Sequence, residues 1–133
     1  MIENTKLEII TPLDVLVSKE TKKVVLPGLE GNLGIMKKHT PLITLLKRGV
    51  ITLYNDNDKI SEQIVVDGGI AEIKSDEIVV LSERAEVANV SNKQVLTEKL
   101  ASSKKQMDNE DKEISTLAKD EVGFYKFVLD EIS

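Results

Sequence analysis

A single imidazole, His39, is all the histidine chemistry that this 133-residue chain can supply, and it contains no cysteine. No thiolate nucleophile, zinc–thiolate site, disulfide or multi-histidine metal cluster can therefore be assembled from it. A Ser/His39/Asp triad would need an exposed nucleophile, and no G-x-S-x-G elbow is present to present one. Carboxylates are plentiful, but Asp56/Asp58 and Asp108/Glu110/Asp111 fall in turn-forming stretches and miss the calcium-loop spacing. Gly28, Gly31 and Gly34 repeat every three residues, like a phosphate loop, yet Ile35-Met36 follow where Lys-Ser/Thr would be needed. Those glycines read as devices for tight turns and strand crossings. His39, close to Pro41, reads as a structural or interface residue. The expectation is no catalytic residue, no metal and no cofactor.

The charge balance narrows the partners. Eighteen basic and 23 acidic side chains leave a net charge of −5, which argues against nucleic acid, since that would need a basic face. Arg48 and Arg84 are the only arginines, so bidentate phosphate clamps are nearly unavailable. At 41% hydrophobic and 31% charged, the composition is that of a folded domain. No run approaches the ~20 apolar residues of a membrane span. Met1-Ile2-Glu3-Asn4 lacks the basic head and apolar run of a leader, so the chain reads as cytosol-facing.

The elements that would position any site change character along the chain. All three prolines and six of the seven glycines precede residue 70. Before that point, short runs alternate with turn signals: Leu7–Thr11, Leu13–Val17, Lys23–Leu26, Val50–Tyr54, Gln63–Val66, Ile70–Ile73 and Ile78–Leu81. Asn55–Asp58, Asp67-Gly68-Gly69 and Ser75–Glu77 read as the intervening turns. This predicts an antiparallel β-sandwich over 1–88. From Ser91, a candidate helix cap, the period becomes helical: Leu96, Leu100, Ser103 and Met107, then Ile114, Leu117/Ala118, Val122, Tyr125, Val128/Leu129 and Ile132. Two amphipathic helices joined at Met107–Asp111 predict an antiparallel helical hairpin over 89–133. The fold class is all-β plus α.

Of four aromatic residues, Phe124, Tyr125 and Phe127 cluster near the C-terminus. At 100° per residue Tyr125 falls on the Ile114–Val128 face, while Phe127 points roughly opposite. Packing within the hairpin accounts for Tyr125. An exposed Phe127 would mark a partner contact.

Residues 27–49 are more specific. The run Glu30-Gly31-Asn32-Leu33-Gly34-Ile35, then His39, Pro41 and Leu42, then Thr44 and Gly49, resembles a signature of the epsilon subunit of bacterial F-type ATP synthases. A second block, Val66-Asp67-Gly68-Gly69-Ile70-Ala71-Glu72-Ile73 with Val79–Ala85, resembles the same family. The resemblance implies a non-catalytic rotor subunit in the central stalk. Its partners would be the gamma subunit, the c-subunit ring and the alpha/beta catalytic head, and it would couple proton-driven ring rotation to ATP synthesis. It implies ring contact through Glu30, Gly31, Asn32, Leu33 and Gly34, and gamma contact through His39, Pro41 and Leu42. It places the chain peripherally at the cytoplasmic face of the bacterial cell membrane.

Two departures bear on that expectation. Asn32 stands where many relatives carry an acid, so a salt bridge to the ring would be replaced by hydrogen bonding. The stretch Val90-Ser91-Asn92-Lys93-Gln94-Val95 lacks the aspartate and arginine through which some members bind ATP, so weak or absent ATP binding is expected. The family's hairpin can also regulate hydrolysis through basic residues. Lys112, Lys119 and Lys126, seven apart, drift only about 20° per heptad on a helix. They and Phe127 are the candidate contacts there. The alternative is a free-standing β-sandwich adaptor that binds another protein through its hairpin.

Overall fold

The computed structural model describes residues 4–132. The leader reading at Met1–Glu3, and Ser133 at the end of the expected hairpin, lie outside the described residues. The chain divides into two compact units, Met1–Val87 and Ala88–Ser133.

Eight strands build the first unit: β1 Thr5–Ile10, β2 Val15–Thr21, β3 Lys23–Gly28, β4 Gly31–Met36, β5 Leu42–Tyr54, β6 Ile60–Ile73, β7 Glu77–Leu81 and β8 Ala85–Val87. Their order is β2-β1-β7-β6-β5-β3-β4, with β8 also on β6. One ladder, β1 on β7, is parallel; the others are antiparallel. Strands β1–β7 all contribute side chains to one core, from Leu7 and Ile9 through Ile35 and Ile51 to Ile78 and Val80. A single hydrogen-bonded sheet can enclose one core only by folding over itself into a sandwich.

The fold-over lies in β5 and β6. Inward residues on β6 are Ile64 and Val66, then Ala71 and Ile73; on β5 they are Leu46, then Ile51 and Leu53. Both strands thus change parity at the same place, although their register stays unshifted from Leu42↔Ile73 to Leu53↔Glu62, with only the Lys47/Gly68 position unpaired in the ladder. With side chains alternating every residue, a parity change turns the opposite face inward. Gly68 (φ 73°) and Gly69 (φ 129°) supply the backbone for it. Asp67-Gly68-Gly69 is therefore not a turn: it is the kink inside a 14-residue strand. Likewise β5 begins at Leu42, eight residues before the expected Val50. Gly49 allows this close crossing, since a Cβ there would lie 2.6 Å from Cβ of Pro27.

Arg48, Asp67 and Arg84 meet at the kink. Arg48 Nε donates to Asp67 Oδ1 at 2.7 Å, and Arg84 donates to Oδ2 at 2.6 Å. The expected turn at Asn55–Asp58 is present: the Asn55 side-chain oxygen accepts from the amides of Asn57 and Lys59.

The second unit holds a 3₁₀ turn (Val90–Asn92), α1 (Lys93–Gln106) and α2 (Lys112–Ile132). Asn89, rather than Ser91, provides the cap, its side chain accepting from the Ser91 amide. Asp111 caps α2 by accepting from the Glu113 amide at 2.9 Å. Between the helices, Ser103 Oγ donates to Glu121 at 3.1 Å, and Ser115 Oγ donates to the Met107 carbonyl at 2.6 Å.

Candidate protein-interaction site

The β3–β4 connection is a two-residue turn, Leu29-Glu30, closed by the Gly28↔Gly31 pair. Gly31 sits at φ 137°, and a Cβ on Gly28 would strike the Gly31 carbonyl oxygen at 2.5 Å. Both positions therefore need glycine. The Leu29 amide donates to the Leu45 carbonyl at 2.9 Å, which ties the turn to β5. Between the two lies an open groove of about 500 Å³, lined by residues 28–33 and 42–45.

Of the expected ring-contact residues, Glu30 lies in the turn, while Gly31, Asn32, Leu33 and Gly34 lie in β4. All are exposed except Leu33, which is half-buried. The structure adds Leu42 to this groove, together with Leu29, Ile43 and Leu45, which the sequence reading did not single out. His39 and Pro41 do not line it. His39 is half-buried in the β4–β5 link. Its Nδ1 lies 2.7 Å from the Thr40 carbonyl oxygen, an arrangement that places a hydrogen on Nδ1.

A second surface is visible only once the register is known. Leu45 pairs with Ile70, Ile70 with Leu81, and Leu81 with Ile10. Directly opposed residues share a face, so these four side chains form one row across β5, β6, β7 and β1. At ~4.8 Å per strand the row is about 14 Å long. It is the outward face, since Leu46, Ala71, Val80 and Ile9 beside it point into the core. Leu45, Ile70 and Leu81 are 55%, 44% and 50% exposed. The next row is Ile43–Glu72–Val79–Glu8. Its carboxylates have partners within the sandwich, Lys74 at 3.5 Å and Lys6 at 3.1 Å. The Lys6 ammonium is raised in pKa, chiefly by its hydrogen bond to Glu8 and then by the Glu8 charge. The face thus offers apolar contact more than net charge.

On α2, Lys112, Lys119 and Lys126 are all exposed. Phe127 is half-buried, so the exposed aromatic anchor considered from the sequence is not there. Phe124 is the fully buried one, with its ring 5.6 Å from that of Tyr125. The exposed apolar side chains of α2 are Ile114 and Leu117. Among the described residues, no helix is long and apolar enough to cross a membrane.

The described residues thus form a β-sandwich with an apolar outer row and a glycine-built groove, followed in the chain by a helical hairpin. Residues 4–88 match the family model described as ATP synthase, Delta/Epsilon chain, beta-sandwich domain. The chain belongs to that family. It is 40% identical over 85 residues to the ATP synthase epsilon chain of Paramagnetospirillum magneticum, covering 64% of this chain and 63% of that one. It is 38% identical over 96 residues to the epsilon chain of Rhodospirillum rubrum, covering 71% of each. A chain in the cryo-EM structure of the Euglena gracilis mitochondrial ATP synthase superposes with a TM-score of 0.65 at 13% identity. That match covers 98% of this chain and 82% of its counterpart, and shows a shared fold.

Proposed function

We propose that this chain is a non-catalytic central-stalk subunit of a bacterial F-type ATP synthase, which couples rotation of the c-subunit ring to ATP synthesis on the alpha/beta head. The observation that carries the reading is the outward row Leu45–Ile70–Leu81–Ile10 on a sandwich of the delta/epsilon family. A rotor element must transmit torque through a stiff, shape-matched contact. A row pinned by strand register supplies one without mobile side-chain arms. The gamma subunit covers this row, with His39, Pro41 and Leu42 at the edge of the same contact. The groove at Glu30, Gly31, Asn32 and Leu33, with Gly34 next along β4, meets the polar loops of the ring. Asn32 does so by hydrogen bonding where an acid would form an ion pair.

The hairpin is the regulatory part of this proposal, with Lys112, Lys119 and Lys126 facing the acidic surface of the head. From Ser91 to Ser133 seven lysines stand against nine acids, so any such grip is local to that edge. ATP is bound weakly or not at all, because no arginine follows Arg84. The complex places the chain peripherally at the cytoplasmic face of the cell membrane.

Calorimetric titration of the purified chain with isolated gamma subunit tests the reading. Leu81→Glu should abolish the binding heat, whereas Leu117→Glu on α2 should leave it intact. Full binding by the Leu81→Glu chain would overturn the assignment of the row.

A further inference from the structure

Strand β6 changes neighbour along its length. Its second half, Ile70–Ile73, pairs with β7, and its first half, Ile64–Val66, pairs with β8. The handover occurs at Asp67-Gly68-Gly69, and the chain must carry Ser82–Arg84 across this point to pass from β7 to β8. A Cβ on Gly69 would collide with the Leu81 carbonyl oxygen at the last residue of β7. The crossing is thus as tight as the backbone allows.

Both arginines of the chain are spent on the carboxylate at this point, one on each oxygen. Arg48 reaches it from β5, and Arg84 reaches it from the crossing loop. The Asp67 carboxylate is 13% exposed and the Arg84 side chain 20%, sheltered enough for a charged hydrogen bond to matter and wet enough to break. The backbone adds to the hold, since the Asp67 amide and the Ser82 hydroxyl both donate to the Arg84 carbonyl at 3.0 Å. Arg84 directly precedes β8, whose three residues are half-buried. None of the buried residues forming the sandwich core lies on β8; Ala85 and Val87 pack against that core as partly buried side chains. After β8 the first unit ends at Val87.

We propose that Arg48–Asp67–Arg84 is a latch that holds β8 on the sheet and so fixes where the chain leaves the sandwich. Opening the Arg84 arm frees residues 83–89 as tether while β1–β7 keep their core. Seven extended residues span up to about 25 Å, so opening the latch lengthens the free chain that follows the core of the sandwich. Arg48 positions Asp67, and Asp67 positions Arg84.

Amide hydrogen exchange on the full chain tests the latch. In Asp67→Asn and in Arg84→Gln, amides of residues 84–88 should exchange at least about tenfold faster, while those of β1 stay within about twofold of wild type. Arg84→Lys, which keeps the charge, should recover most of the protection. Equal acceleration in β1 and β8 would show general destabilisation and overturn the proposal, as would unchanged exchange at 84–88. Should Asp67→Asn fail to fold, Arg84→Gln decides alone, because Arg84 lies outside the β5–β6 crossing.

Discussion

Gly69 on β6 lies so close to the carbonyl oxygen of Leu81 on β7 that no side chain fits between them. Its φ of 129° is also outside the range that side chains accept. Gly69→Ala should therefore lower the stability of the sandwich by roughly 2–4 kcal/mol, adding backbone strain to displacement of β7. Gly34→Ala, on β4 where an added Cβ meets nothing within 4 Å, should change stability by less than about 0.5 kcal/mol. Urea unfolding of the two variants checks the contrast.

The Asp67–Arg84 pair should show true coupling. In a double-mutant cycle with Asp67→Asn and Arg84→Gln, an interaction free energy of about 1–2 kcal/mol is expected, since the pair is largely sheltered. The same cycle on Lys22 and Asp58, 3.6 Å apart with Asp58 74% exposed, should give less than about 0.5 kcal/mol. Similar couplings at both sites would show that burial does not distinguish the pairs.

Phe124 and Phe127 should separate in the helical unit. Phe124 is fully buried, so Phe124→Ala should cost about 3–5 kcal/mol, against roughly 1–2 kcal/mol for half-buried Phe127. Loss of helical circular dichroism with temperature reports both.

The hairpin's first segment should not hold nucleotide. Asn89 caps a 3₁₀ turn at Val90–Asn92, and Lys93 is the one cationic side chain of the stretch Val90–Val95. Isothermal titration with magnesium ATP should give no stoichiometric heat at millimolar ligand. Tight one-to-one binding would show that lysines replace the arginines.

Much of this architecture is legible in the sequence, and the parts that are not have separate physical causes. Alternation at Leu7/Ile9 and at Ile78/Val80 reports strands locally, and the stripe from Ala118 to Val128 reports a helix. The kink at Gly68-Gly69 carries the composition of a turn, because the same left-handed backbone serves both purposes. The parity change from Ile64/Val66 to Ala71/Ile73 was the available sign that the strand continues. The row Leu45–Ile70–Leu81–Ile10 could not be read at all, because its four members are joined only by long-range register. The ring-groove candidates at residues 30–34 were carried by resemblance. Their proximity to Leu42 and Leu45 depends on β3 lying between β4 and β5. Phe124 escaped because a stripe of every third or fourth residue passes over it.

Tagged chain purified from its own cells in mild detergent, with mass spectrometry and stoichiometry of what accompanies it, is the most direct measurement of stalk membership. Equimolar gamma, together with the alpha/beta head and the c ring, is the predicted result, and Leu81→Glu should strip all of them away. A different partner set, or none across several salt concentrations, would contradict the rotor assignment and leave a free-standing adaptor in its place.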